Sequence, residues 1–386
     1  MLEGFLLDIV RVVMRDEAGG FSRITREIRG FQAHLKGEIA VRVENKRQYR
    51  GVLAVVSVSI VGVVMLACRL KNAESDTVAA AGQPVRNVLT AGPQVAGCPV
   101  FPADNVWNTP ITTAKKDAHS DAYVAKIGRE KPLHPGFGVD PANGIPITII
   151  KPSVRYKRVK FLYSDESDLG SYPIPDDALI EGGPNSAADS DRHVILVDEF
   201  RCLLMELGNV QRQPDGNWNA GAGIKMDLTS SALRPDGKTS TDAAGLPILP
   251  GLLRYEDIEA GEVKHAIRFS VTKSQHAYVW PARHQASKIE DPSYPPMGQR
   301  FRLKADVDIS GYSKTNQIIL KGLKKYGMIV ADNGNSWFII GTPDKRWNDD
   351  DLHKLTAIKG SDFEAVDIGD WQMLADSGRV DPTAVK

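Results

Sequence analysis

From Gly51 to Cys68 the chain reads GVLAVVSVSIVGVVMLAC, eighteen residues without a charge. As a helix such a run rises about 27 Å, close to the hydrocarbon thickness of a bilayer. It divides the chain into residues 1–50, a spacer at 69–97 and a body at 98–386. Arg42, Lys46, Arg47 and Arg50 precede the run, whereas only Arg69 and Lys71 follow closely. That bias predicts a cytoplasmic N-terminal side and an extracytoplasmic body. Three readings fit. One is a retained transmembrane anchor. Another is a secretory signal cut near Val78-Ala79-Ala80-Ala81. The third is a lipoprotein box at Met65-Leu66-Ala67-Cys68, in which Leu66 is a poor fit. Each exports the body, held at the cell membrane through residues 51–68 or secreted.

Ahead of the run, Leu2, Phe5, Leu6, Ile9, Val12 and Val13 form a stripe at helical spacing. Residues 1–50 are either a cytoplasmic membrane-surface element or an extension upstream of a start near Val41 or Val43. They hold ten Lys/Arg and seven Asp/Glu, while residues beyond 70 hold 37 and 41. A mildly acidic body lacks the basic face that nucleic acid requires, so nucleic acid is excluded as a partner.

Residues 69–97 are rich in Ala, Gly, Val and Thr without a sustained period, and read as a flexible spacer. Three cysteines occur. Cys68 ends the apolar run, which leaves Cys98 and Cys202 as a pair in an exported body. In an oxidising compartment that pair predicts a disulfide. Closing a loop of this length stabilises by about 4–5 kcal/mol at most in the chain-entropy model. Two unpaired buried thiols are the alternative.

Within the body, Ile145–Ile150, Val154–Tyr163, Val263–Thr272, Gln299–Val307 and Asp362–Ile368 alternate as strands do. His193, Ile195 and Val197 share one strand face, and Cys202–Leu207 returns as a second strand. Ser313–Tyr326 is the clearest helix, with Ser313 as cap and Gly327 as stop. Trp347–Leu355 reads as a short helix. Asn333-Gly334 predicts a hairpin between Met328–Asp332 and Ser336–Gly341. The expected fold is mainly β, sandwich or barrel-like, with a few helices; the alternative is α+β. No GxGxxG, GxSxG, Walker A or HExxH motif occurs, which removes the common nucleotide-binding, hydrolase and zincin readings.

Trp218–Gly251 is a long stretch rich in Gly, Pro, Ser, Thr and Asp, with apolar residues at intervals. Its length and composition predict a folded lobe acting as the lid or wall of a site. Glu206 lies late in the apolar strand just before it. A buried acid there needs an ion partner or serves as a site acid with a raised pKa. In Val263–Thr272, His265 falls on the face of Ile267, Phe269 and Val271, with Arg268 on the other. His193, His265 and His284 are candidates for a shared cavity. The acids from Asp165 to Glu181 lack the fixed calcium-loop pattern, and no His spacing supports a metal. No metal and no cofactor is expected.

The strings FPADNVWNTPI, SDRHVILVD, LRPDGKTSTDAAGLPILPGLLRY and YGMIVADNGNSWFIIG resemble a group of exported bacterial proteins without an assigned activity. The resemblance covers roughly residues 98–368 and implies export, with nothing on mechanism.

These features lead to an extracytoplasmic protein acting on glycans, a glycosidase in the first reading, with a glycan or another cell-envelope component as partner. A glycosidase needs two carboxylates in different protonation states flanking the scissile bond. Glu206 is the expected acid and Asp227 or Asp242 the base or nucleophile. His193 and His265 are expected to orient substrate or share proton transfer. Trp107, Trp218, Asp236 and His284 are the candidate substrate contacts; for Trp107 the commoner role of such a residue, plugging the edge of a core, is the competing reading. The alternatives are a non-catalytic glycan- or wall-binding module and an envelope scaffold. Oligomeric state is left open.

Overall fold

The computed structural model describes residues 92–187 and 190–385, and two short strands nearer the N-terminus, β1 (Val13–Arg15) and β2 (Phe21–Arg23). These two pair antiparallel. Val13 is therefore a strand residue rather than part of a helical stripe. The remainder of that stripe, residues 51–68 and the spacer before residue 92 lie outside the described residues. No helix among the described residues is long and apolar enough to cross a membrane.

The body is β-rich with few helices. Its first elements are β3 (Gln94–Val95), β4 (Cys98–Pro99), β5 (Lys115–Lys116), α1 (Ser120–Ile127), β6 (His134–Gly136), β7 (Ile147–Ile150), β8 (Tyr156–Phe161) and β9 (Ser171–Pro173). Next come β10 (Val194–Asp198), β11 (Leu203–Gly208), β12 (Gln211–Arg212), β13 (Trp218–Ala220), β14 (Ala222–Asp227) and α2 (Tyr255–Glu259). The last are β15 (Ile267–Val271), β16 (Arg300–Leu303), α3 (Lys314–Lys325), β17 (Met328–Asn333), β18 (Phe338–Ile340), α4 (Asp349–His353) and β19 (Phe363–Asp367).

The largest sheet has seven strands in the order β5-β19-β16-β17-β15-β18-β6. All five residues of β15 are buried, so both its faces are covered. The face that carries Arg268 and Ser270 is therefore interior as well. Near β15, Trp337 stacks on Phe269 at 5.8 Å and on Phe363 at 5.1 Å. Stacked rings at such distances add to the burial of their area. The expected hairpin at Asn333-Gly334 does not form. β17 runs parallel to β15 and β18 antiparallel to it, so β15 lies between the two. The Gly334 amide donates to the Val271 carbonyl instead of closing a two-residue turn. Tertiary pairing has overridden a local turn preference.

The predicted long helix is present. Its N-cap Ser313 accepts a hydrogen bond from the Asn316 amide, satisfying one of the orphan donors of the first turn. Gly327 follows with φ +65, a conformation that costs a residue without a side chain little. The helices α1 and α2 were not anticipated.

A second sheet has the order β14-β11-β10-β7. It stands between two apolar cores. Ile195, Val197 and Leu204 join the main core, whereas Val194, Leu196, Met205 and Leu207 join a smaller one with Tyr172 and Trp218. Strand alternation alone produces this division. A third sheet, β12-β13-β8-β9, carries Trp218 and helps to enclose the smaller core.

Cys98 and Cys202 form a disulfide with Cα atoms 5.3 Å apart and 104 residues of separation. It fastens β4 to the turn between β10 and β11. Within the expected spacer, Gln94–Val95 pairs with Cys98–Pro99.

Candidate functional site

The stretch 218–251 is not a lid. Its first third is strand, β13 and β14, and its later part is a plug. Leu228, Ala244, Leu246, Ile248 and Leu249 have no exposed surface. Glu206 explains how the plug is held. It is wholly buried, and its carboxylate accepts the amide of Ile248 at 2.9 Å, the amide of Leu249 at 2.9 Å and the Thr241 hydroxyl at 3.0 Å. Burial pushes the Glu206 pKa up, and these donors pull it back. A buried acid needs partners, and here they are backbone amides rather than an arginine.

Three of the five expected catalytic residues converge on the dipeptide Thr241–Asp242. The Thr241 carbonyl accepts from His193 Nε2 at 2.8 Å, and His193 Nδ1 lies 2.6 Å from Glu181 Oε2. Two acceptors require two N–H donors, so the ring is an imidazolium. Burial lowers the His193 pKa, but the Glu181 bond and charge override it and raise the value to about 9. Burial likewise raises Glu181, and His193 brings it below its ordinary value.

Asp242 is 2% exposed and accepts Arg268 Nη2 at 2.8 Å and the Ala244 amide at 2.8 Å. Its pKa is pushed up to about 7, chiefly by burial; Arg268 opposes this and the nearby Asp332 adds to it. Asp332 is raised by burial too, again opposed by Arg268. The guanidinium of Arg268 thus serves two carboxylates, one of which exchanges a proton near neutrality. The sequence reading missed Arg268, Asp332 and Glu181. A buried basic residue in a strand of interior residues was the signal available for Arg268.

The other expected residues lie elsewhere. His265 is fully buried, with Nδ1 2.8 Å from the Ala266 carbonyl and Nε2 3.3 Å from Asp257 Oδ2. Asp257 also caps α2 and pairs with Arg254; burial raises its pKa, but Arg254 and His265 bring it to about 2. His265 therefore belongs to a structural triad and not to the Thr241 centre. Asp227 is exposed and closes a turn by accepting the Thr229 amide and hydroxyl. Asp236 is exposed and accepts the Tyr278 hydroxyl at 3.1 Å. His284 is half-buried beside the Ala243 carbonyl, 3.2 Å from Nδ1.

The tryptophans are corrected as well. Trp107 is 1% exposed and Trp218 2%, so neither presents a ring face to a sugar. Trp337 and Trp347 are also buried, and half-buried Trp280 donates to the Ser377 carbonyl. Their area serves the cores. Several acids of the 165–184 loop are used internally. Asp168 accepts from Arg234 and the Lys225 amide, and Glu166 from the Thr239 amide. Among the described residues no group of His, Cys, Asp or Glu could hold a metal ion.

A cleft of about 1170 Å³ opens on the surface of the body. It follows β7, with Ile147 and Ile149 in its floor, Val139–Ala142 with Thr342–Lys345 on one flank, and Asp176–Ile180 on the other. Val139, Ile149 and Leu179 are 40%, 37% and 50% exposed there. Arg192 and Arg212 also line it, as does the edge of Trp218. None of Glu206, Asp227, Asp242, His193 and His265 is in its lining.

No protein-family model, no curated protein and no solved structure matches the chain.

Proposed function

We propose that the body is a binding module of the cell envelope, whose ligand lies as an extended chain in the cleft along β7. The observation that carries this reading is the cleft itself. At about 1170 Å³ it exceeds the roughly 300–1,000 Å³ of ordinary small-molecule pockets, and it combines apolar floor with charged rim. The Cys98–Cys202 disulfide supports an oxidising compartment. Together with the apolar run at 51–68, it favours a body outside the cytoplasm. The glycan preference loses its strongest motive, because the tryptophans are interior.

Calorimetric titration of the full chain tests this. The panel holds a β-1,4-linked amino-sugar oligomer, a neutral glucan oligomer and a mixture of unstructured peptides. At least one class should bind, and Ile149→Arg should abolish that binding while leaving the thermal transition in place. No binding by any class, or binding indifferent to Ile149→Arg, sinks the proposal.

A second reading, a glycan hydrolase, draws support from one observation. Asp242, with a pKa of about 7, shares Arg268 with Asp332 beside the His193 imidazolium. Release of reducing ends from a polysaccharide by the wild type, abolished in Asp242→Asn, would establish it. Absence of release across the panel removes it.

A further inference from the structure

We propose that the cleft takes a polypeptide segment, which adds as a fifth strand to the free edge of β7. This rests on the cleft reading and names the chemical class of its ligand.

β7 ends the sheet β14-β11-β10-β7, and among the described residues its only strand partner is the parallel β10. Among the described residues no backbone hydrogen bond is made on its other side. Such an edge presents a row of unspent N–H and C=O groups, which an extended main chain satisfies and a sugar polymer does not. Pro146 and Lys151 bound the strand at its two ends, and none of its own four residues is proline or lysine. The strand reads Ile147-Thr148-Ile149-Ile150, which are residues suited to pairing.

The surroundings fit a strand rather than a flat partner. Two separately fixed segments, Val139–Ala142 with Thr342–Lys345 and Asp176–Ile180, line the cleft beside β7. One is fixed by the Asp344 amide on the Gly138 carbonyl and the Ile145 amide on the Gly341 carbonyl. The other is fixed by the Leu179 amide on the Thr148 hydroxyl at 3.0 Å. Between them four residues of β7 offer about 13 Å of edge at strand rise, room for about four ligand residues. Ile149 and Leu179 provide the apolar contacts for alternate ligand side chains.

Charge specifies the ligand further. Asp177 and Lys345 line the cleft and take no ion pair or hydrogen bond among the described residues. Arg192, buried at the cleft wall, donates only to neutral oxygens, those of Val210, Ser186 and Pro184. A segment carrying both an acidic and a basic side chain complements this lining. A neutral polysaccharide does not.

The test uses the full chain and a randomised ten-residue peptide library, with Ile149→Arg and Leu179→Glu as controls. Peptides enriched on the wild type should alternate apolar residues, carry both charges and lose at least tenfold in affinity to either variant. N-methylation of alternate peptide amides should weaken binding at least tenfold in one register and leave the other nearly unchanged, since only one set of amides faces β7. Equal effects in both registers, or enrichment indifferent to the two variants, overturn strand addition. If no peptide is enriched while an oligosaccharide binds in an Ile149-dependent way, the peptide inference fails and the cleft reading stands. If neither class binds, both fail.

Discussion

Thr241 donates its hydroxyl to the Glu206 carboxylate at 3.0 Å, so a residue of the plug and a residue of β11 share one buried bond. The same threonine receives the His193 imidazolium on its carbonyl. Glu206, Thr241 and His193 are therefore one connected group, which ties the plug to β10 and β11.

Glu206 is the anchor of this network. Glu206→Ala leaves the amides of Ile248 and Leu249 buried without acceptors. Each orphaned donor costs about 1–3 kcal/mol, so the total loss is expected at about 2–5 kcal/mol. Denaturant unfolding of the full chain measures it. A loss below about 1 kcal/mol would mean that the plug is held by its apolar residues alone.

His193 sets a stability trend at alkaline pH. Its folded pKa, about 9, lies above the ordinary 6.5. The stabilisation is thus complete below pH 6.5 and is lost as pH rises through 9. It amounts to something on the order of 2–3 kcal/mol. Between pH 7 and 9 the wild type should lose stability faster than His193→Gln. Parallel curves over that window would refute the imidazolium assignment.

Asp242 works in the opposite part of the scale. Its folded pKa of about 7 lies above the ordinary 3.8, so the folded state binds the extra proton. Its contribution is greatest below pH 3.8 and is lost as pH rises through 7. Asp242→Asn should flatten the decline of the unfolding midpoint between pH 4 and 7. It should also lower overall stability, because Arg268 loses its closest carboxylate. A variant with an unchanged slope would place the titrating proton on another group.

Gly251 is required by close approach. A Cβ there would lie 2.7 Å from Arg268 Cβ and 2.8 Å from the Arg268 amide and the Trp107 ring. Gly251→Ala should force the plug away from β15 and cost about 1–3 kcal/mol, as overpacking does. A fully stable variant with an unshifted thermal midpoint would contradict this geometry.

Local patterns were legible in the chain, and long-range partners were not. Glu206 was visible as an acid among apolar strand residues, yet its acceptor role for amides 42 residues later was not. Helix α3 was visible because Ser313 and Gly327 mark its ends by local chemistry. The tryptophans were ambiguous because large rings suit both a sugar platform and a core, and only packing decides between them. Arg268 was placed on the face opposite His265, and its burial stayed hidden because alternation gives faces without saying what covers them. The free edge of β7 was invisible for the same reason, since strand order is not a local property.

The position of β15 between β17 and β18 bears on how the body is built in time. Asn333-Gly334 favours a two-residue turn that would join β17 and β18 directly within microseconds. The native sheet instead inserts a strand from about sixty residues earlier into that gap, a contact with a high entropic threshold. The quickest local structure is thus a competitor of the final one, a point of frustration in an otherwise consistent sequence. Refolding should show a bent limb at low denaturant, and Gly334→Ala, by weakening the premature turn, should straighten it and speed the slow phase. An unchanged limb in that variant would assign the delay to another step.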